Sequence, residues 1–404
     1  MATIEKTRVA SLEFQLDWES ECARHSEILF ARKVNFWRDL LPGETQTLIE
    51  EGKAGDAIHS DFNADDVFPY EEDRRLRLDN SQFERRRVDG SILQPRFGRF
   101  YPAGLLRNVR DIFTGNMQPF RCVGIDSSKL DVDINHPLAG KDVTLEIRVR
   151  DVRRKMSEIG GQMTDWMETV SNGPGMQARW ENRPTDFFSD DPFVRSNDGN
   201  DMEFYAKPRF VTHVDDQALE HIKSVYARFL EPGMDVLDLM SSWRSHVPGS
   251  LELESVVGLG LNEAEMKDNP QLSSHIVHDL NEQPSLPFDD QSFDAIICAV
   301  SVEYLIHPFD VFSECARILK PNGTLIHAFS NRWFPPKVIS IWEELNEFER
   351  MGLVLEYFLR SNEFDRIETF SLRGWPRPVT DQYYPRVKMA DPVYAVAGRR
   401  KSGT

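Results

Sequence analysis

The sequence predicts two domains of different class: an α+β domain on an antiparallel sheet, then an α/β domain on a doubly wound sheet. Residues 1–155 favour the first class because several short runs alternate apolar and polar residues, as half-buried strands do. Residues 205–404 favour the second because buried-strand runs alternate there with helical patterns. Residues 156–204 are rich in Pro, Gly, Asn and Asp and lack strong periodicity, which predicts a connector.

The N-terminal strands are predicted from alternation and from the turn residues between them. The predicted strands are 8–16, 120–125, 129–134 and 143–152. In the last of these, Val143, Leu145 and Ile147 share one face, and the loops 126–128 and 135–140 contain Asp, Ser, Asn, Pro and Gly. We therefore expect an antiparallel sheet with small helices in this half.

The C-terminal half is predicted from four short apolar runs and the helical patterns between them. The predicted strands are 234–240, 255–261, 294–300 and 324–330, and the predicted helices are 218–230, 311–319 and 339–355. In a doubly wound sheet, ligands bind at the carboxyl ends of the strands. The residues that follow each strand are therefore the first candidates for a binding site.

Composition and charge exclude several classes of protein. The chain has 404 residues, 40% of them hydrophobic, which suits two or three packed domains. A net charge of −18 disfavours general nucleic-acid binding. No apolar run is long enough to span a membrane, and the first twenty residues do not read as a secretory signal. The four cysteines form no CxxC pair, so we expect a cytoplasmic protein without a metal site or disulfide framework.

Two motifs in the C-terminal half are specific. Residues 286–305 read LPFDDQSFDAIICAVSVEYL, and residues 316–330 read ARILKPNGTLIHAFS. In this order and at this spacing, they resemble the motifs that flank the fourth and fifth strands of class I S-adenosylmethionine-dependent methyltransferases. The resemblance covers roughly residues 205–400. It implies a Rossmann-like fold, S-adenosylmethionine as cofactor and transfer of a methyl group.

The resemblance implies cofactor-binding residues after each strand. These are Asp238, Met240, Ser241, Ser242, Gly260, Asn262, Asp279, Leu280 and Ser301. Two positions depart from the family. The loop that starts at Asp238 lacks the usual glycines, and Gly260 stands where the family commonly has an acidic residue for the ribose hydroxyls. Asp279 corresponds to an acidic residue beside the adenine, whereas for Leu280 packing is the alternative.

The resemblance also implies an acceptor site, covered by residues upstream of the first strand. The implied acceptor-site residues are Tyr205, Arg209, His213 and Tyr304, with Asn331 to Phe334 as further lining. Arg209 is expected to pair with a carboxylate. The alternative is a surface segment in which Asp215 or Asp216 begins a helix. His213, His246 and His307 are candidate bases.

No NPPY-type tetrapeptide follows the fourth strand, where residues 300–304 read VSVEY. In the family, that motif serves amino and amide nitrogen acceptors, so its absence favours a small-molecule acceptor of another kind. A small thiol or hydrosulfide is the narrower guess. A homodimer is plausible, and neither a nucleic-acid nor a membrane partner is expected.

Residues 132–141, VDINHPLAGK, resemble a motif of FKBP-type prolyl isomerases of the SlyD-like kind. Residues 65–83 resemble the borders of that family's flap insertion, and the resemblance covers most of residues 5–155. It implies an apolar proline pocket, with Phe14 where the family often has Tyr, and with Phe100 and Tyr101 lining what remains. The family's DG-x-x-x-D segment is absent from residues 17–22.

Three roles for the N-terminal half therefore stay open: an isomerase, a structural or dimerisation module, and a lid over the methyltransferase site. For the whole chain, the alternatives to a methyltransferase are an isomerase or chaperone-like protein with a noncatalytic appendage, and a pseudoenzyme that binds without turnover.

Overall fold

The computed structural model describes residues 8–42, 45, 49, 53–85, 92–155 and 161–402. Eight strands lie in the N-terminal half: β1 (Arg8–Glu19), β2 (Ala23–Asn35), β3 (Ala57–Phe62), β4 (Arg75–Asp79), β5 (Phe100–Pro102), β6 (Pro119–Ile125), β7 (Lys129–Asp133) and β8 (Val143–Arg154). Seven lie in the C-terminal half: β9 (Asp235–Leu239), β10 (Ser255–Gly260), β11 (Ser274–Val277), β12 (Phe293–Ala299), β13 (Leu319–Phe329), β14 (Phe364–Arg373) and β15 (Val393–Arg400).

The described α-helices are mostly short. They are α1 (Ala64–Val67), α2 (Trp166–Ser171), α3 (Asp201–Phe204), α4 (Asp216–Tyr226), α5 (Glu263–Lys267), α6 (Pro308–Ile318), α7 (Ser340–Glu344) and α8 (Glu347–Ser361). Asp215 caps α4 by accepting a hydrogen bond from the Ala218 N–H at 3.0 Å, as the helix-start alternative predicted. The single helix predicted over 339–355 is wrong, because Asn346 begins a new helix with a capping box.

The C-terminal half confirms the doubly wound sheet. Its strands follow the order β11-β10-β9-β12-β13-β15-β14, parallel as far as β13, with β15 antiparallel to both of its neighbours. Helix α4 packs with Val236 and Ile326, whereas α6 and α8 pack with Leu237 and Leu325. Adjacent residues of a strand point to opposite faces, so helices cover both faces of the sheet.

The two halves are not separate sheets, which the two-domain prediction did not foresee. Strand β14 pairs in parallel with β2, and the sheet continues through β1 and β8 to β3, eleven strands in all. At this junction Glu27 is buried and accepts hydrogen bonds from Ser371 and from Gln177, and His25 bonds to Thr369 at 2.7 Å. Satisfied polar groups thus stabilise the join.

A second sheet, in the order β4-β7-β6-β5, is inserted between β3 and β8. The chain leaves this sheet only after Asp133, so the insertion extends well beyond the predicted border at residues 80–83. The inserted sheet contacts α8 through a buried ion pair, in which Arg99 Nε lies 3.0 Å from Glu349 Oε1. The predicted strands 120–125 and 129–134 are confirmed, but they belong to this second sheet.

The proposed remnant of a proline pocket is filled. Phe14 is fully buried and stacks on Trp166 of α2, with ring centroids 5.7 Å apart. Tyr101 is buried in the core of the inserted sheet, and Phe100 is buried beneath α8, so the prediction that these two line a pocket is wrong. At this point the connector therefore packs against the sheet, and Trp166 occupies the space above Phe14 of β1.

Candidate active site

One cavity opens at the carboxyl ends of β9, β10 and β12, and we call it the main cavity. It encloses about 1200 Å³, its open mouth included. The structure brings the nine predicted cofactor-binding residues and four of the predicted acceptor-site residues to its walls. They are Tyr205, Arg209, His213, Asp238, Met240, Ser241, Ser242, Gly260, Asn262, Asp279, Leu280, Ser301 and Tyr304. Which atoms of a ligand each of them binds stays a prediction.

The loop after β9 reaches across β10 without the expected glycines. Met240 adopts the left-handed conformation with φ of 58°, which glycine would adopt more readily. Beyond it, the Ser241 N–H donates to Leu259 O at 2.7 Å and the Ser241 hydroxyl donates to Asp238 Oδ2 at 2.5 Å. Burial raises the pKa of Asp238 to about 6, although the hydroxyls of Ser241 and Ser245 act in the opposite direction.

The missing acidic residue at position 260 has a steric explanation. A Cβ atom on Gly260 would overlap the carbonyl group of Ser241, so the crossing loop leaves room for glycine only. The sequence prediction missed a nearby carboxylate, Glu265 of α5, which lines the main cavity. Its Oε2 accepts from the Ser242 hydroxyl and its Oε1 accepts from the Arg209 N–H, both at 2.6 Å. Its position three residues after the cap Asn262 was the available signal.

Asn262 holds the chain that covers the cavity, which we call the upstream segment (residues 204–214). Its side-chain amide donates to Tyr205 O at 2.8 Å and to Ala206 O at 3.2 Å. Its Oδ1 accepts from the Glu265 N–H at 3.1 Å, which caps α5. The Asn262 amide, for which a polar contact with the cofactor was predicted, therefore binds the upstream segment and positions it over the cavity.

The predicted ion pair between the Arg209 guanidinium and a carboxylate is not formed among the residues that the structure describes. Its guanidinium lies over the rings of Phe204, Tyr205 and Phe334, at 5.0, 5.3 and 5.3 Å from their centroids. One guanidinium nitrogen donates to Phe204 O at 3.2 Å. Aromatic faces attract cations, so Arg209 stabilises the upstream segment against the wall that contains Phe334.

His213 and Tyr304 differ in how free their polar atoms are. The Tyr304 hydroxyl accepts from the Phe334 N–H at 2.8 Å, and burial raises the pKa of Tyr304. His213 packs edge-on to the Phe334 ring at 5.0 Å, and burial lowers the pKa of its imidazole. His213 is therefore neutral near pH 7 and able to accept a proton, whereas Tyr304 acts as part of the wall.

A second cavity adjoins the first, and we call it the side cavity. The two share residues 211–214, Val300, Tyr304 and Phe334. The remaining walls of the side cavity are Asp215, Arg332, Trp333, Arg377, Asp381, Gln382, Tyr383 and Asp391. His213 thus stands where the two cavities meet. Of the other two candidate bases, His246 lines only the main cavity and has a pKa lowered to about 4 by burial, and His307 lines neither.

A buried ion cluster supports the opposite wall of the main cavity. Asp201, which lines it, lies 2.8 Å from Arg195 and 2.7 Å from Lys337. These hydrogen bonds lower the pKa of Asp201 against the opposing effect of its burial. Asn281 donates to Asp201 Oδ2 and to Tyr304 O, both at 2.9 Å. This network orients the loop that contains Asp279 and Leu280, and the sequence prediction missed it.

Among the described residues, no group of His, Cys, Asp and Glu side chains has an arrangement that fits a metal ion, and no described helix is both long and apolar enough to cross a bilayer.

Known proteins match parts of this chain. Residues 250–327 match the family model of a methyltransferase domain. The biotin biosynthesis bifunctional protein BioHC of Teredinibacter turnerae is 31% identical over 110 residues, which are 27% of this chain and 18% of that protein. A malonyl-[acyl-carrier protein] O-methyltransferase of a Marinomonas species is 26% identical over 66 residues, 16% of this chain and 24% of that protein. The chain thus spans less than a quarter of either relative.

Solved structures resemble the same half of the chain. The YcgJ protein of Bacillus subtilis is 14% identical over 46% of this chain and 99% of its own, with a TM-score of 0.33. An S-adenosylmethionine-dependent methyltransferase of Mesorhizobium loti is 16% identical over 44% of this chain and 96% of its own, with a TM-score of 0.28. The family match at residues 250–327 includes the motif at 286–305 and most of the motif at 316–330, from which a methyltransferase domain was predicted.

Proposed function

We propose that the protein is an S-adenosylmethionine-dependent methyltransferase that acts on a small-molecule acceptor. The observation that carries this proposal is the coincidence of two independent findings. The matched methyltransferase segment, residues 250–327, contains β10, β11 and β12, and the main cavity opens where β10 and β12 end. The nine implied cofactor-binding residues line that cavity, and so do Tyr205, Arg209, His213 and Tyr304 of the implied acceptor site.

The residues of the main cavity fit the cofactor, because each part of it meets groups of suitable chemistry. We assign Asp279 and Leu280 to the adenine, and the Glu265 carboxylate, which lines the same cavity, to the ribose hydroxyls that Gly260 has no side chain to bind. We assign the Asp238–Ser241 loop to the amino-acid end. When bound, S-adenosylmethionine supplies an activated methyl group on a sulfonium, and placement and exclusion of water then dominate the rate.

His213 is the base that we assign to the acceptor. A ring nitrogen of His213 would accept the proton that the acceptor loses when it takes the methyl group from the bound cofactor. Arg209 and Tyr205 keep the upstream segment closed over the reacting groups, which excludes water. A small thiol or hydrosulfide is our narrower proposal for the acceptor, since a thiolate needs no strong base.

The N-terminal half acts in this proposal as a structural extension of the methyltransferase sheet. The continuous pairing of β2 with β14 and the filled space above Phe14 support a structural role rather than proline binding. The FKBP-like assignment, a homodimer, a cytoplasmic location and the absence of nucleic-acid and membrane partners remain predictions from the sequence. The competing function, prolyl isomerisation, has one supporting observation, the motif at 132–141.

Calorimetric titration with S-adenosylhomocysteine tests the cofactor assignment, and a methyl-transfer assay with small thiols tests the activity. We expect micromolar binding and transfer that His213→Gln reduces. Failure to bind millimolar ligand would overturn the proposal. Binding without transfer to thiols, alcohols or carboxylates would indicate a pseudoenzyme instead. Catalysis of prolyl-peptide isomerisation by the full chain, without ligand binding, would favour the competing function.

A further inference from the structure

We propose that the methyl acceptor is an anionic molecule with an apolar body, and that its anionic group binds Arg332 in the side cavity. This inference rests on the proposed function and names the chemical class of its acceptor. The side cavity meets the main cavity at His213, so a molecule that fills the side cavity presents one end to the transferred methyl group.

Two arginines line the side cavity, and only one of them is available to a ligand. Arg377 is buried and already lies near three carboxylates, with Asp391 at 2.6 Å and both Asp215 and Asp381 at 3.3 Å. Arg332 forms no ion pair among the residues that the structure describes. Its guanidinium contacts the Tyr383 ring, at 5.8 Å from the centroid.

Arg332 is exposed and has no carboxylate partner among the described residues of a chain whose net charge is −18. The three carboxylates that line the side cavity, Asp215, Asp381 and Asp391, all lie beside Arg377, so Arg332 is the cation of this lining that is left to attract an anion. A planar guanidinium binds a carboxylate through two parallel hydrogen bonds, which favours that anion over others.

The walls between Arg332 and His213 are aromatic and aliphatic. Trp333, Phe334 and Val300 line this part of the cavity, and Tyr383 remains 47% exposed beside Arg332. Apolar walls favour an apolar body in the ligand, because its burial releases water from both surfaces. Hydrosulfide alone would use neither these walls nor Arg332.

A matched pair of probes tests the charge requirement. The protein, saturated with S-adenosylhomocysteine, is titrated with 4-mercaptobenzoate and with 4-mercaptobenzamide, and Trp333 supplies a fluorescence signal. We expect the carboxylate to bind at least tenfold more tightly at low salt and the preference to shrink as salt rises. Arg332→Gln should bring the ratio of the two affinities close to one. Arg110→Ala, at an exposed position of the inserted sheet, is the control and should leave the ratio unchanged.

Each outcome separates this inference from the proposed function. Equal binding of the two probes, binding of neither at millimolar concentration, or a preference that survives Arg332→Gln would overturn the inference while cofactor binding still supported a methyltransferase. Absence of S-adenosylhomocysteine binding in the wild-type protein would overturn both.

Discussion

The two halves of the eleven-stranded sheet differ in where the ends of their strands lie. In the C-terminal half, parallel strands bring Asp238, Gly260 and Ser301 to the same edge, where a cavity remains open. In the N-terminal half, antiparallel strands divide their ends between two edges, and Trp166 covers the aromatic face at Phe14. One continuous sheet thus has an open cavity at the carboxyl ends of its parallel strands and a covered face at Phe14. Strand direction decides where polar residues can gather.

Adding a side chain at Gly260, where the loop after β9 passes over β10, should have the largest effect on ligand binding in the main cavity. In Gly260→Ala, the added methyl group overlaps the Ser241 carbonyl and displaces the loop after β9. We expect S-adenosylhomocysteine to bind about 100-fold more weakly by calorimetry, or about 2.7 kcal/mol. Gly249→Ala is the control, because a Cβ atom there meets nothing within 4 Å. Unchanged affinity in Gly260→Ala would refute the close approach of the Ser241 carbonyl to Gly260.

Acid should destabilise the C-terminal core through His327. Burial lowers the pKa of His327 to about 3, and no partner is described for either ring nitrogen. The folded state therefore keeps the ring neutral, and its contribution to stability is complete above pH 6.5 and is lost as the pH falls towards 3. By pH 4 we expect a loss of about 3 kcal/mol from this group.

The test replaces His327 with leucine, which cannot take up a proton. Denaturant unfolding at several pH values should show a smaller loss between pH 6.5 and 4 in His327→Leu than in the wild type. His59→Leu, at an exposed position of β3, should retain the wild-type slope. Equal slopes in all three proteins would mean that His327 can be protonated in the folded state.

Removing the Trp166 ring that covers Phe14 in the N-terminal half should lower the free energy of unfolding without affecting ligand binding in the main cavity. Trp166→Ala removes the ring that stacks on Phe14, and we expect unfolding free energy to fall by about 2–3 kcal/mol. Trp37→Ala is a matched control, because Trp37 is 63% exposed. The affinity for S-adenosylhomocysteine should stay unchanged in both variants. A large loss of affinity in Trp166→Ala would show that the two halves are coupled energetically.

Removing the charge of Glu265 should have the smallest of these effects. Glu265→Gln keeps the size of the side chain, so we expect about tenfold weaker binding of S-adenosylhomocysteine, or about 1.4 kcal/mol, from the loss of charge-assisted hydrogen bonds. Glu263→Gln is the control, because Glu263 is exposed and pairs with Lys267 at 2.7 Å. Loss of affinity in the control alone, or in neither variant, would exclude Glu265 from ribose binding.

Local signals in the sequence were sufficient for much of the site. The predicted strands identified the residues that follow them, and parallel strands place those ends together. Asp279, after the short run 274–277, and Ser301, after the run 294–300, both line the main cavity. The role of Glu265 was missed because it depends on the Ser242 hydroxyl and the Arg209 N–H, which are distant in sequence.

By itself, the sequence predicted the doubly wound sheet of the C-terminal half and the residues that follow its strands. Only the tertiary structure decided that β2 pairs with β14, that Trp166 covers Phe14 and that Arg209 lies among aromatic rings. The physical reason is the same in each case. Edge pairing, ring stacking and cation–aromatic contacts join residues far apart in the chain, whereas periodicity and motifs report only on neighbours.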